Sequence, residues 1–286
     1  MPTVSLLRRL FLATLVLMVA TAVSRAAEVT FPDLEAAVPG HKDISYFDLA
    51  RDIVLDLSKA NGVYQGHVVI DVRHIGGPDD ASSPPETVNL PGIAALPIRS
   101  DGSDRLLLLL DFGDAADSAN GFAVLALYDL SSAERLLDAA NVAYDRGTWF
   151  REGAALAVSA DTDAVITMSE HFNSNQAYVT TALILPRDDR LELIDTIFTF
   201  NELQCEYRRE QVPSFKTVEA AGSTVASIEV TVTETTSPSD ESCEGQKPAP
   251  ATRTITVTYK WDDAAARYAP DSDALKKLAV ENKQRF

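Results

Sequence analysis

Hydrophobic and polar residues alternate with period two over much of the chain, and that texture predicts strands. In "HVVIDVRH", Val68, Ile70 and Val72 fall on one face while His67, Asp71 and Arg73 fall on the other, as in a half-buried strand. Further strands are predicted at 94–99, 105–111, 122–129, 154–159, 164–169, 177–185, 191–200, 224–234 and 253–260, many of them separated by Gly, Asn, Asp or Pro. "YKWDDAAARYAP" reads as a strand, a turn and a return at Arg267 and Tyr268. Leu106–Leu110 is an unbroken apolar run, which reads as a buried strand.

Helical spacing is strongest near the two ends. In "DISYFDLARDIVLDLSKANG", Ile44, Phe47, Ala50, Ile53, Val54 and Leu57 recur at helical intervals, with Asp43 or Ser45 as cap and Asn61-Gly62 as stop. In "APDSDALKKLAVENKQRF", Leu275, Leu278 and Ala279 form a narrow stripe behind a cap at Asp271 or Ser272. "SSAERLLDAA" reads as a short helix or helical turn. The predicted fold is mainly β: a multi-strand antiparallel meander, propeller-like or a sandwich, with an N-terminal and a C-terminal helix. Residues 27–286 are expected to form a single β-rich domain.

One internal correspondence stands out. Asp104, Phe112, Ala126, Arg135 and Asp138 are echoed by Asp163, Phe172, Ala182, Arg190 and Asp195. Each segment reads as strand, polar loop, strand, turn and apolar run, the pattern of meander units in a propeller or a sandwich.

The first 26 residues read as an export signal. Arg8 and Arg9 form the positive region, Leu10–Ala20 the apolar one, and Ser24 and Ala26 the small residues before a cleavage site. "RRLFLA" also resembles a twin-arginine signal, although Leu7 stands where Ser or Thr is usual. The expected location is therefore periplasmic or secreted, by the general or the twin-arginine route, with no transmembrane span in the mature chain. The formal net charge is -17. Such acidity disfavours nucleic acid and anionic membrane surfaces, because both would be repelled.

In an exported chain, the two cysteines, Cys205 and Cys243, read as a disulfide. The bridge would close a loop of roughly 39 residues and pin a mobile connection at about 236–251, adding about 4 kcal/mol at best in the chain-entropy model.

The candidate chemistry is sparse. The Asp-Phe-Gly of Asp111–Gly113 matches a kinase triplet, but no glycine-rich phosphate loop, strand lysine or His-Arg-Asp loop accompanies it. Asp111, Asp114 and Asp117 form an acidic stretch that suggests calcium, which wants six to eight oxygens. Their spacing of three does not match the every-second-residue ligands of an EF-hand loop, so the expected cofactor is none, with calcium as the alternative. His67, Asp71 and His74 form a metal-like cluster on paper, yet His74 would lie on the opposite strand face unless the chain bends. "SEHFNSNQ" gathers Glu170, His171, Asn173 and Asn175, which are ligand-binding candidates on a polar turn.

"YFDLARDIVLDL", "HFNSNQAYVTTALIL" and "YKWDDAAARYAPDSDALKKLAVENKQRF" together resemble uncharacterised exported bacterial proteins. That resemblance implies an extracytoplasmic location and no particular activity. The expected function is non-catalytic binding or scaffolding of an envelope or extracellular ligand or protein. The alternatives are a hydrolase of envelope polymers using the 170–175 loop and a calcium-stabilised propeller-like module.

Overall fold

A computed structural model describes residues 28–285 except 118–119, 220–221 and 240–241. The export-signal reading of residues 1–26 lies outside the described residues. The chain opens with a ribbon, β1 (Ala37–Val38) and β2 (His41–Ser45), followed by α1 (Tyr46–Ile53). The Ser45 side chain accepts the Asp48 N–H while the Asp48 carboxylate accepts the Ser45 N–H, so two orphan donors of the first turn are satisfied reciprocally. The helix ends at Ile53, short of the predicted Asn61-Gly62 stop. That dipeptide instead takes positive φ (53° and 82°) and turns a tight hairpin between β3 (Ser58–Ala60) and β4 (Val63–Gly66).

The strand predicted around Val68–Val72 does not form. The Asp56 carboxylate accepts both the His67 and Val68 N–H groups, so these donors are lost to a ladder. A single bridge, Val54 to Val69, remains. The chain becomes extended again at β5 (Arg73–His74) and β6 (Val88–Leu90), the latter completing a three-stranded sheet with β4.

Next come β7 (Ala94–Ser100), β8 (Ser103–Asp114), β9 (Gly121–Asp129) and β10 (Arg135–Asn141). With β5 they form a five-stranded sheet in the order β5-β10-β9-β8-β7, in which only β5 runs parallel to its neighbour. The predicted helical turn over "SSAERLLDAA" is corrected to strand β10. Its second half lies between β9 and β5, and the Arg73 guanidinium binds both Asp138 carboxylate oxygens at 2.8 Å. Tertiary pairing thus overrides a locally helical pattern.

The remainder is an eight-stranded antiparallel meander in sequence order: β11 (Gly147–Ala157), β12 (Asp163–Phe172), β13 (Gln176–Arg187), β14 (Arg190–Leu203), β15 (Tyr207–Val218), β16 (Ser227–Pro238), β17 (Ala251–Asp262) and β18 (Arg267–Pro270). The chain ends in α2 (Ala274–Lys283), whose N-cap is Asp273 rather than Asp271 or Ser272. Among the described residues no helix is long and apolar enough to cross a membrane.

Three apolar cores stack in layers. Leu106, Leu108 and Leu110 face α1, packing in one cluster with Leu49 and Ile53. Leu107 and Leu109 point the other way, to Val165, Ala182 and Ile184 of the large sheet. Both faces of β8 are therefore buried, which is why its five leucines show no alternation. The third core lies between the β12–β14 and β16–β18 regions and is joined by Leu275 and Leu278 of α2. The architecture is a layered sandwich rather than a ring of blades.

The internal correspondence extends to strand register. Leu108 lies opposite Ala126, and Ala126 opposite Ala139; the equivalent residues Thr167, Ala182 and Thr196 line up in the same way. The two meanders place their hairpin ends, around 111–121 and 170–177, at comparable positions.

The disulfide is present, with an S–S distance of 2.01 Å. It joins the β14–β15 turn to the β16–β17 connection, and the Ser239 N–H donates to the Glu206 carbonyl beside it.

Candidate functional site

The two loops meet through a third segment, 144–148, which enters β11. On one side, the Thr148 N–H donates to Asp111 Oδ2 at 3.2 Å, and Arg146 pairs with Asp114 at 3.3 Å. On the other, Asp145 Oδ1 lies 3.2 Å from His171 Nδ1, and Gly147 and Thr148 pair in register with Glu170 and Ser169. The Ser169 hydroxyl oxygen accepts the Tyr144 N–H at 3.1 Å and lies 3.0 Å from that of Thr148.

The acidic stretch does not converge on a common point. Asp111 is largely buried; its oxygens accept the Gly113 and Thr148 N–H groups, and burial pushes its carboxyl pKa up despite these bonds. Asp114 turns outward to Arg146. Asp117 accepts from both the hydroxyl and the N–H of Ser83, and those bonds lower its pKa. The loop is further braced by Ser82, whose hydroxyl donates to the Gly121 carbonyl at 3.1 Å. Among the described residues no group of three His, Cys, Asp or Glu gathers in a metal-holding arrangement.

The His67, Asp71 and His74 trio also comes apart. His67 pairs with Asp56 at 3.4 Å. His74 is buried: its Nδ1 accepts the Gly76 N–H, which leaves Nε2 to donate to the Ala143 carbonyl at 2.9 Å. Burial lowers the His74 pKa, partly offset by Ala143 and Asp80.

The 170–175 candidates form one hairpin end. Glu170 is half-buried, and burial raises its pKa. The His171 ring meets that of Tyr178 edge-on at 5.6 Å. Asn173 donates to Gln176 Oε1 at 2.9 Å, Tyr178 donates to the same oxygen at 2.6 Å, and the Asn175 N–H donates to Asn173 Oδ1 at 3.3 Å. Phe172 stands 73% exposed beside them, and Leu203, whose N–H bonds the Asn175 carbonyl, is 54% exposed. A cavity of about 320 Å³ lies at the other end of the sheet, lined by Leu185, Leu193, Ile194 and Tyr268 among others.

Sequence reasoning missed Asp145 and Gly121. The signal was available in part, since "YDRG" is a turn, but nothing in its spacing ties Asp145 to a histidine 26 residues further on. Chemically, Asp145 can orient His171 and leave Nε2 for a ligand. The Ser169 and Thr148 hydroxyls behind this segment are buried and bonded to each other. Compared with family models, curated proteins and solved structures, the chain matches none.

Proposed function

We propose that this is an exported, non-catalytic binding or scaffolding protein of the cell envelope or its surroundings, with its contact surface at the 170–176 rim. The observation that carries this reading is the Asp145–His171 pair, formed between the 144–148 segment and the hairpin end that also carries the exposed Phe172. Loop ends on a rigid sheet are where binding residues concentrate. Export is supported by the signal-like residues 1–26 and by the disulfide, which forms and persists in oxidising compartments.

The test is capture from an envelope extract by the immobilised mature chain. Capture that is lost in His171→Ala and Phe172→Asp, with both variants folded, supports the reading; capture unchanged by both variants overturns it. The Asp145–His171 pair also favours a second reading, hydrolysis of an envelope polymer with His171 as acid or base. Polymer cleavage abolished by His171→Ala would establish that reading instead.

A further inference from the structure

We propose that two copies of this chain join edge to edge through β17, paired antiparallel about a twofold axis at Thr254. This surface is separate from the 170–176 rim and does not depend on it. In an antiparallel strand, alternate residues turn their backbone N–H and C=O to opposite edges. On β17 the alternation is fixed by Thr258. Its N–H donates to Asp271 Oδ1 at 3.0 Å and its carbonyl accepts the Asp271 N–H at 2.9 Å. Asp271 directly follows β18, on the side of β17 away from β16. The register with β16 runs unbroken from Tyr259 to Ala251, so Thr252, Thr254 and Thr256 turn their N–H and C=O to that same outer side. β18 pairs only with Tyr259–Asp262 and leaves them bare. All three threonines are exposed, and among the described residues nothing in the chain bonds their outward N–H or C=O.

Soluble proteins blunt such edges with proline, lysine, a bulge or a cover. Residues 252–256 have no proline, lysine or bulge. Their one charge, Arg253, lies on the opposite sheet face from the threonines and is held by Glu234 and Glu281.

A second copy fits this edge. The strand begins at Ala251, and Asp271 occupies Thr258, so the free run is centred on Thr254. A twofold axis there sets Thr254 opposite Thr254 of the second copy and Thr252 opposite its Thr256. Every outward-turned residue is then used, and each pair exchanges two bonds, about six in all. The side chains match as well. Facing threonines bond through their hydroxyls, as Thr231 and Thr256 already do at 2.9 Å within the chain. Charge favours the same place. Thr231, Thr233 and Thr235 of β16 lie opposite Thr256, Thr254 and Thr252, so the band beside the axis is uncharged on this face. In a chain of net charge -17, two copies are repelled least where they meet along such a band.

The test is analytical ultracentrifugation of the mature, disulfide-intact chain from micromolar to millimolar concentration, at low and high salt. The expected result is a monomer–dimer equilibrium that salt tightens, because screening weakens the repulsion between like-charged copies. Thr254→Pro removes the N–H at the axis, a donor with no partner inside one chain. It should weaken the dimer about tenfold or more and leave the melting temperature of the dilute protein nearly unchanged. Thr254→Lys should weaken it similarly by setting two like charges face to face, and it decides the matter if the proline variant does not fold. Amide exchange at Thr252, Thr254 and Thr256 should slow in step with the dimer fraction. A chain that stays monomeric at millimolar concentration, or a dimer that either folded variant leaves intact, would overturn the proposal. Protection of those amides in a monomeric chain by added envelope extract would likewise overturn it and assign the edge to a different partner.

Discussion

The carbonyl oxygen of Asp145 lies 2.0 Å from where a Cβ on Gly121 would stand. The end of the first hairpin loop is therefore pressed against the backbone of the residue whose carboxylate holds His171 at the end of the second. The Ser82 hydroxyl on the Gly121 carbonyl fixes that approach from behind.

Gly121→Ala should then act at a distance. The added methyl has no free space, so the 144–148 segment must move, at a cost of about 1–3 kcal/mol by analogy with overpacked cores. Urea unfolding should show that loss, and amide resonances of residues 169–172 should shift with it. Unchanged stability together with unchanged resonances would show that the contact is slack.

Removing the disulfide should lower stability by up to about 4 kcal/mol, the chain-entropy value for a loop of this length. Cys205→Ala/Cys243→Ala should unfold at clearly lower urea than the parent. The native chain should gain the mass of two hydrogens on reduction, and free thiols in exported, oxidised protein would contradict the bridge.

Acid should loosen the seat of α2. Glu234 is buried and accepts from Gln211, Arg253 and Arg285. Burial alone would raise its pKa, but those bonds outweigh it and hold the value below the ordinary 4.5. The unfolded chain therefore binds the proton first as pH falls. The contribution is complete above the unfolded value and is lost as pH drops through the folded one. Glu234→Gln should flatten the acid limb of the melting-temperature profile. It should also cost about 1–3 kcal/mol at neutral pH, because Arg253 and Arg285 each lose a charged partner and keep only Glu281. A variant whose acid limb is as steep as the parent's would assign that limb to other carboxylates.

Calcium should leave the acidic loop indifferent. Asp111 spends its oxygens on backbone N–H groups, Asp114 faces Arg146 and Asp117 serves Ser83. Gathering them about one ion would break all three arrangements. Millimolar calcium should raise the melting temperature no more than magnesium does, since only a ligand preferring the native state stabilises it. A rise specific to calcium and absent from Asp111→Asn would reverse this.

The places where sequence and structure part follow from how side chains were spent. Strand β15 was not anticipated, because "YRREQVPSFKTV" carries charges and a proline where an apolar face belongs. Its inward Gln211 is satisfied by Glu234, Asn282 and the Phe200 N–H, none of them near in sequence. The strand predicted over Val68–Val72 failed because Asp56, more than ten residues upstream, claimed its N–H groups. The candidate residues of the 170–175 loop were legible as a polar cluster, whereas their partner Asp145 was not.

The β-rich class, most strand positions, both terminal helices and the cysteine pair were legible along the chain, because period, caps and turn residues act over a few neighbouring positions. The order of the sheets, the double burial of Leu106–Leu110 and the meeting of Gly121, Asp145 and His171 were decided by tertiary structure. Those depend on which faces find each other across tens of residues, and a one-dimensional pattern carries no record of that pairing.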